Sequence, residues 1–320
     1  MKALETNAAM PDFDILVVGE VNPDLILLGD VMPDFRQREK IVDDAVITIG
    51  SSGVIFACGA ARLGLKVAYS GVVGDDLLGR YMLESMEKKG VDTSGIVIDP
   101  SLKTGLTLVL SRPTDRAILT YLGSMSALRV EQIDPSLLLR SRHVHITSFF
   151  LQHSLRPDLV ALLSKLHSLG ITISMDTNWD PWGEWDGNLR KALKQIDILL
   201  PNEQEALSIS GQNELDAALN SLSQIVGTVV VKQGAHGAVA QCDEERVRCP
   251  GFKIQVADTT GAGDSFDAGF IHAFLHRWSL EDSLALACAC GALSTRAAGG
   301  TDAQPTLEEA LQLIQQKGEV

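Results

Sequence analysis

The stretch from Val256 to Phe270, VADTTGAGDSFDAGF, combines residue types suited to anion chemistry. Gly261, Ala262 and Gly263 precede an apolar run with helical spacing, and Asp264 falls in the first turn of that run. A helix start leaves backbone N–H groups unpaired and carries partial positive charge. Glycines there let the chain curl closely around an anion, because no Cβ intervenes. The result is a phosphate cradle that needs no lysine. An acid in a first helical turn complements the dipole by about 0.3–1 kcal/mol. Beside an anion site it is also placed to accept the proton of an alcohol attacking a terminal phosphate. Gly261, Ala262 and Gly263 are thus the candidate anion hole, and Asp264 the candidate base.

Two familiar nucleotide motifs are absent. No G-x-x-x-x-G-K-[ST] occurs, and VVGEVNPD stands after the first strand where a dinucleotide fold would carry G-x-G-x-x-G. The net charge of −14 and the lack of any Lys/Arg cluster argue against nucleic acid as a partner. Arg246, in RVR, reads as a solvated strand edge. The N-terminus has no signal-like apolar segment and no run of 18 apolar residues occurs, so no membrane partner and a cytoplasmic location are expected. Cys58, Cys242, Cys249, Cys288 and Cys290 match no disulfide or zinc pattern and read as small buried thiols. His272 and His276 lie one helical turn apart without a third ligand, so exposure or capping is expected; His143 and His145 share a strand face and read as packing.

The elements that must position the cradle alternate. Strands are expected from Asp14, Val67, His143, Ile171, Ile196 and Thr228. Helices are expected at 53–63, 76–89, 157–169, 189–194, 203–221 with a break at Gly211, 264–278 and 280–298. This order predicts an α/β fold whose mostly parallel sheet is covered on both faces. Two segments break the rhythm. Residues 25–49 are extended and of mixed polarity, and TGLTLVLSRPTDRAILTY (104–121) alternates around a turn at SRPTD. Both are assigned to a small second layer over one end of the sheet.

DTTGAGDSFDAGF closely resembles the C-terminal signature of the ribokinase-like, or PfkB, carbohydrate kinases. PNEQE (201–205), KQGAHGA (232–238), ARLG (61–64) and VVGDDLLG (72–79) fall in the same order as that family's landmarks. The resemblance spans about Asp14 to Gly300. It implies a ribokinase-like three-layer sandwich in a single domain over 1–320, with a β-sheet lid formed by about 22–50 and 104–122. It further implies transfer of the γ-phosphate of ATP to a hydroxyl, usually a primary alcohol of a sugar or nucleoside. Asp264 is then the base, with Gly261, Ala262 and Gly263 around the transferring phosphoryl group. Asn202 and Glu205, three apart at a helix start, match the N-x-x-E element that holds Mg²⁺ through water, although the same spacing also makes a helix cap. The resemblance puts Lys232, Gly234, Gly237 and Thr259 beside the nucleotide. Gly234 is the stronger candidate for close backbone approach, since a strand-end lysine is commonly solvated. Asp258 and Thr260 match positions that help bind a monovalent cation, K⁺, or else form an Asx turn ahead of the glycines. Asp24, in VNPD, corresponds to an aspartate that binds substrate hydroxyls, with Gly50 and Ser51 alongside it.

The pattern also departs from the family. GSSGVIFACGAARLG has Ser51 where many sugar kinases have a second glycine, and Ile55 where they have asparagine, which argues against ribose read in the usual way. Asp180 replaces the arginine of a D-x-N-x-R element, arguing against a sugar acid or sugar phosphate. Trp179, Trp182 and Trp185 crowd the same loop, where packing is the commoner use and ligand stacking the alternative. The expected function is therefore a small-molecule kinase with a sugar-like acceptor. The alternatives are a nucleoside kinase, in which Ile55 faces a base ring, and a catalytically silent ligand sensor. An exposed lid edge suggests a homodimer.

Overall fold

The run Phe13–Val18 forms an interior strand of a nine-stranded sheet, and its alternate residues serve two cores. Ile15 and Val17 pack into one hydrophobic layer, while Leu16 and Val18 pack into the other. A strand buried on both faces reads as a continuous apolar run, which is why DILVV carries no polar alternation. The computed structural model describes residues 11–112 and 116–318; residues 113–115, the centre of the expected SRPTD turn, lie outside it.

Along the chain the first half runs β1 (Phe13–Val18), β2 (Pro23–Leu28), β3 (Asp44–Ile49), α1 (Ser52–Arg62), β4 (Val67–Gly74), α2 (Leu77–Lys88), β5 (Val91–Asp99), β6 (Leu106–Ser111) and β7 (Arg116–Tyr121). It continues with α3 (Pro135–Leu139), β8 (Ser141–Thr147), α4 (Arg156–Ser168), β9 (Thr172–Asp176), α5 (Leu189–Leu193) and β10 (Ile198–Leu199). Then come α6 (Glu203–Ser210), α7 (Leu215–Ser223), β11 (Thr228–Lys232), β12 (Ala238–Cys242), β13 (Glu245–Cys249), α8 (Ala262–Leu275), α9 (Leu280–Ser294) and α10 (Leu307–Gly318). The large sheet has the order β13-β12-β11-β10-β9-β8-β1-β4-β5. Its strands are parallel from β5 to β11, and β12 and β13 close one edge as an antiparallel hairpin. One core layer holds α1, α8 and α9 against the sheet, and the other holds α3, α4 and α7.

The two irregular segments meet in a separate four-stranded sheet, β3-β2-β6-β7. Asp24 pairs with Thr107 and Thr107 with Thr120, so strand alternation puts these three on one face. Ile26, Val109 and Ile118 form the next row of that face, and Ile26 and Val109 are buried. The opposite face carries Leu25, Leu27, Leu108, Leu110 and Leu119.

The elements differ from the expectation in several places. β5 is half exposed and polar along VDTS, which masks its period. The β12–β13 hairpin is a short edge ribbon whose Arg246, as expected of a solvated edge, faces Asp216, Asn220 and Gln241. α10 follows the last landmark of the family pattern. The helix expected over 280–298 ends at Ser294. No helix among the described residues is long and apolar enough to cross a membrane.

Gly237 makes the turn into β12 at φ +96°. A Cβ there would lie 2.0 Å from the Cys249 carbonyl oxygen and 2.6 Å from the Gly251 nitrogen. Both contacts are backbone and cannot give way. Gly237→Ala is therefore expected to cost about 3 kcal/mol or more, read as a lower urea midpoint; an unchanged midpoint contradicts this account of the turn.

Candidate active site

The site lies at the carboxyl ends of the parallel strands, where open α/β sheets take their ligands. β1 leads to Glu20 and Asp24, β9 ends in Asp176, β10 leads to Asn202, and β11 ends in Lys232. Two helices point their first turns at this edge. α8 begins after Gly261, which sits at φ +70° with Gly300 and Ile55 so close that a Cβ would lie 2.8 Å from each. α1 begins after Ser51, and the hydroxyl of its first residue, Ser52, donates to Asp264 Oδ1 at 2.5 Å. Asp264 therefore stands between two helix N-termini. Burial pushes its pKa up to about 7, against the opposing Ser52 hydrogen bond. The N–H groups of Gly261, Gly263 and Asp264 have no hydrogen-bond partner among the described residues; that of Ala262 reaches Thr259 O at 3.3 Å. Three donors and a carboxylate with a raised pKa form a place for an oxyanion next to a proton acceptor.

Beneath this turn lies an ion cluster. Lys232 Nζ donates to Asp176 Oδ2 at 2.8 Å and to Asp267 Oδ2 at 2.9 Å, with both carboxylates buried and the lysine side chain 11% exposed. Burial opposes the Lys232 charge, but Asp176, Asp267 and Glu205 outweigh it and raise the pKa. Burial pushes Asp267 well up, while at Asp176 Lys232 and the hydrogen bonds overcome burial and hold the pKa low. The ammonium lies 3.6 Å from where a Cβ on Gly263 would sit, so a positive charge supports the anion cradle from below. Lys232 is therefore not the solvated charge that a strand-end lysine commonly is. Asp267 and Asp176 were missed; the available signals were an acid in an otherwise apolar helix and an acid closing an apolar strand.

Other expected residues fall around this centre. Asn202 Oδ1 accepts from Glu205 N at 2.9 Å and Glu205 Oε2 from Asn202 N at 2.8 Å, a reciprocal cap of α6. Burial and then the charge of Asp176 push Glu205 up to about 7. Asp258 Oδ1 accepts from both the N–H and hydroxyl of Thr260 at 2.9 Å, and Oδ2 accepts from Gly299 N, so the Asx turn forms. Arg116, on the lid strand β7, donates to Thr260 Oγ1 at 3.0 Å. Asp24 is buried against Gly50, and burial, opposed by Arg116, pushes it up to about 7. Gly234 is at φ +56° in open space, so the closely packed glycine of its loop is Gly237, packed against protein backbone.

Three expectations need correction. Ser51 commits its hydroxyl to Glu20 and to the Val54 N–H, leaving its backbone for a ligand. Ile55 is buried under Gly261 and Gly300 and faces no base-binding space. His272 is buried rather than exposed, stacked on His276, whose Nδ1 bonds the His272 carbonyl. Asp180 accepts the N–H groups of Trp182, Glu184 and Trp185, so it organises its own loop. Trp185 packs edge-on to Trp179 and Phe150. His143 and His145 pack as expected, bonded to Ser174.

Unpaired N–H groups at a helix start, a buried carboxylate beside them and a small second sheet are parts that phosphoryl transfer can use. The sequence matches the model of the pfkB family carbohydrate kinases over residues 12–307, and the chain belongs to that family. It is 31% identical over 302 residues to an ATP-dependent ribose-1-phosphate kinase of Halopiger xanaduensis, covering 92% of this chain and 95% of that one. It is 26% identical over 325 residues to a 5-dehydro-2-deoxygluconokinase of Geobacillus thermodenitrificans, covering 94% and 96%. The structure of a putative ribokinase II from E. coli in complex with ATP and Mg²⁺ superposes with a TM-score of 0.84 at 23% identity, covering 95% and 99%.

The ion cluster gives a test. Lys232→Met leaves two buried carboxylates without a counter-charge and is expected to cost about 3–5 kcal/mol. Adding Asp176→Asn and Asp267→Asn should recover more than half of the lost thermal stability. No recovery would show that the lysine acts through packing alone.

Proposed function

We propose that this carbohydrate kinase transfers the γ-phosphoryl group of ATP to a hydroxyl of a sugar or sugar derivative, with Asp264 as the general base. The observation that carries this reading is the position of Asp264 between two helix N-termini, beside N–H groups of Gly261 and Gly263 that have no partner among the described residues. Those donors bind the phosphoryl oxygens as charge develops, and Asp264 takes the proton of the attacking hydroxyl. Asp24 accepts acceptor hydroxyls, and the backbone of Gly50 and Ser51 orients them. The lid excludes water from the transferring group. Lys232 acts from beneath the cradle, while Gly234, Gly237 and Thr259 shape the nucleotide side.

Mg²⁺ prefers octahedral oxygen coordination and keeps several waters. An ion carried mainly by phosphates and water would have Glu205 and Asn202 at its outer edge. Bound there, Mg²⁺ neutralises phosphate charge. The assignment of K⁺ rests on Asp258 and Thr260 in the turn before the cradle.

A second acceptor class is favoured by Arg116. Asp180 removes one counter-charge from the site, but Arg116 brings another from the lid to the neighbourhood of Asp24 and Asp258. A phosphorylated or acidic sugar is therefore a competing acceptor, in keeping with the names of the Halopiger and Geobacillus relatives. ATP consumption with neutral sugars, sugar 1-phosphates, sugar acids and nucleosides separates these readings. Saturable binding without phosphorylation would support the silent sensor instead.

Asp264→Asn is expected to lower kcat by about 10²–10⁴-fold with ATP affinity retained; comparable turnover overturns Asp264 as base. In the wild type, activity should rise with pH and level off above about 7, as Asp264 ionises. Stability runs the other way. The folded state holds this proton more tightly than the unfolded chain, so stability falls from pH 3.8 to about 7 and is flat above. The Tm advantage of Asp264→Asn should grow across that window.

We also propose a homodimer through the lid. Its outer face is apolar, with Leu119 59% and Ile47 48% exposed, an area that a second copy would cover. Leu119→Glu should convert a dimer to a monomer in light scattering; a monomeric wild type removes the proposal.

A further inference from the structure

Glu20 is almost fully buried, and no lysine or arginine is bonded to its side chain among the described residues. It is surrounded by donors. Ser148 Oγ donates to Oε1 at 2.8 Å, Thr147 Oγ1 to Oε2 at 3.2 Å, and Gln152 Nε2 to Oε2 at 3.3 Å. The Ser51 hydroxyl is shared between the Glu20 carbonyl at 2.7 Å and Oε1 at 3.1 Å. Tyr69 OH adds a bond to the same carbonyl at 2.6 Å. One side chain thus ties the end of β1 to the start of α1 and to the turn after β8.

Two of its partners have unusual backbones. Ser148 is left-handed at φ 48°, ψ 48°. Ser51 has φ 63°, ψ 123°, a region that a side chain disfavours and glycine enters freely. Ser51 also caps α1 by accepting from Val54 N, so its hydroxyl is fixed from both sides. The neighbouring Gly50 lies against Asp24 so closely that a Cβ would lie 2.1 Å from its Oδ1. A change in the backbone at Ser51 is therefore passed directly to Asp24.

We propose that Glu20 is the positioning residue of the acceptor site: its carboxylate holds Ser51 in a backbone conformation suited to glycine, and so holds Gly50 against Asp24. This rests on the reading of Asp24 as the acceptor-binding group. The hydrogen bond from Ser51 to Glu20 stands in for the conformational freedom that a glycine would bring. The hydroxyl of Ser51 then serves the fold and makes no contact with the acceptor.

The test is a comparison of two truncations and a double-mutant cycle. Ser51→Ala removes the hydroxyl but keeps the Cβ, whereas Ser51→Gly removes both. If the hydroxyl touched the acceptor, both variants would raise the acceptor KM alike. On this proposal Ser51→Ala raises it on the order of tenfold, with the KM for ATP little changed, and Ser51→Gly raises it several-fold less. Glu20→Gln should also raise the acceptor KM, and by a smaller factor in the S51G background than in the wild type. Equal effects of S51A and S51G, or an unchanged Glu20→Gln effect in the S51G background, overturn it. Thermal melting carries the same comparison without turnover. S51A should lower Tm more than S51G, and the Tm loss from Glu20→Gln should shrink in the S51G background. Should the wild type phosphorylate no acceptor, the functional reading fails while the melting comparison still decides the role of Glu20.

Discussion

The buried cluster of Lys232 with Asp176 and Asp267 constrains everything built above it. It joins the ends of β9 and β11 to the second turn of α8, so three separate elements share one charged contact. Buried charges are tolerated only when paired and hydrogen-bonded. Lys232 meets that condition with bonds to both carboxylates, and the geometry of the cradle follows from it. Moving α8 along its axis would break a bond at the cluster. The α8 turn is thereby held at fixed distance from the strand ends that carry the rest of the site.

Above the cluster, the same burial that fixes Asp264 also suits it to the proposed role of base. Removing a carboxylate from water raises its pKa, and the Ser52 hydroxyl opposes only part of that rise. A group poised near neutral pH both gains a proton readily and gives it up. The arrangement is unfavourable for stability above pH 7, which is the common condition of sites organised for chemistry. The N-termini of α1 and α8 concentrate positive potential where a phosphoryl group would carry its charge.

The lid divides its labour by strand alternation. One face presents Asp24, Thr107 and Thr120, followed by the apolar row of Ile26, Val109 and Ile118; the other is apolar. Arg116 links the small sheet's edge to Thr260 in the turn before α8, so that sheet contacts the Gly261–Gly263 turn as well as the Asp24 side. Glu20 works at the opposite end of the same site, where it holds the floor on which Gly50 meets Asp24.

Much of this was legible in the sequence. Apolar runs on alternating segments specified a parallel sheet buried on both faces, because such strands need no polar side. The alternation in 104–121 marked β6 and β7 as two-faced strands, but which face meets solvent was decided by the tertiary structure, which leaves Leu119 on the apolar face exposed. GAGD marked the cradle, because glycine and an N-terminal acid act locally on backbone groups a few residues away. What local chemistry does not reach was decided by the tertiary structure. The distance in sequence from Lys232 to Asp176, or from Glu20 to Ser148, leaves no periodic trace. Ser52 joined Asp264, Arg116 reached Thr260, and Ile55 was lost to the core, each because two distant elements met. Periodicity and turn chemistry are properties of neighbouring residues, whereas the pairing of buried charges depends on which strand ends the sheet order brings together.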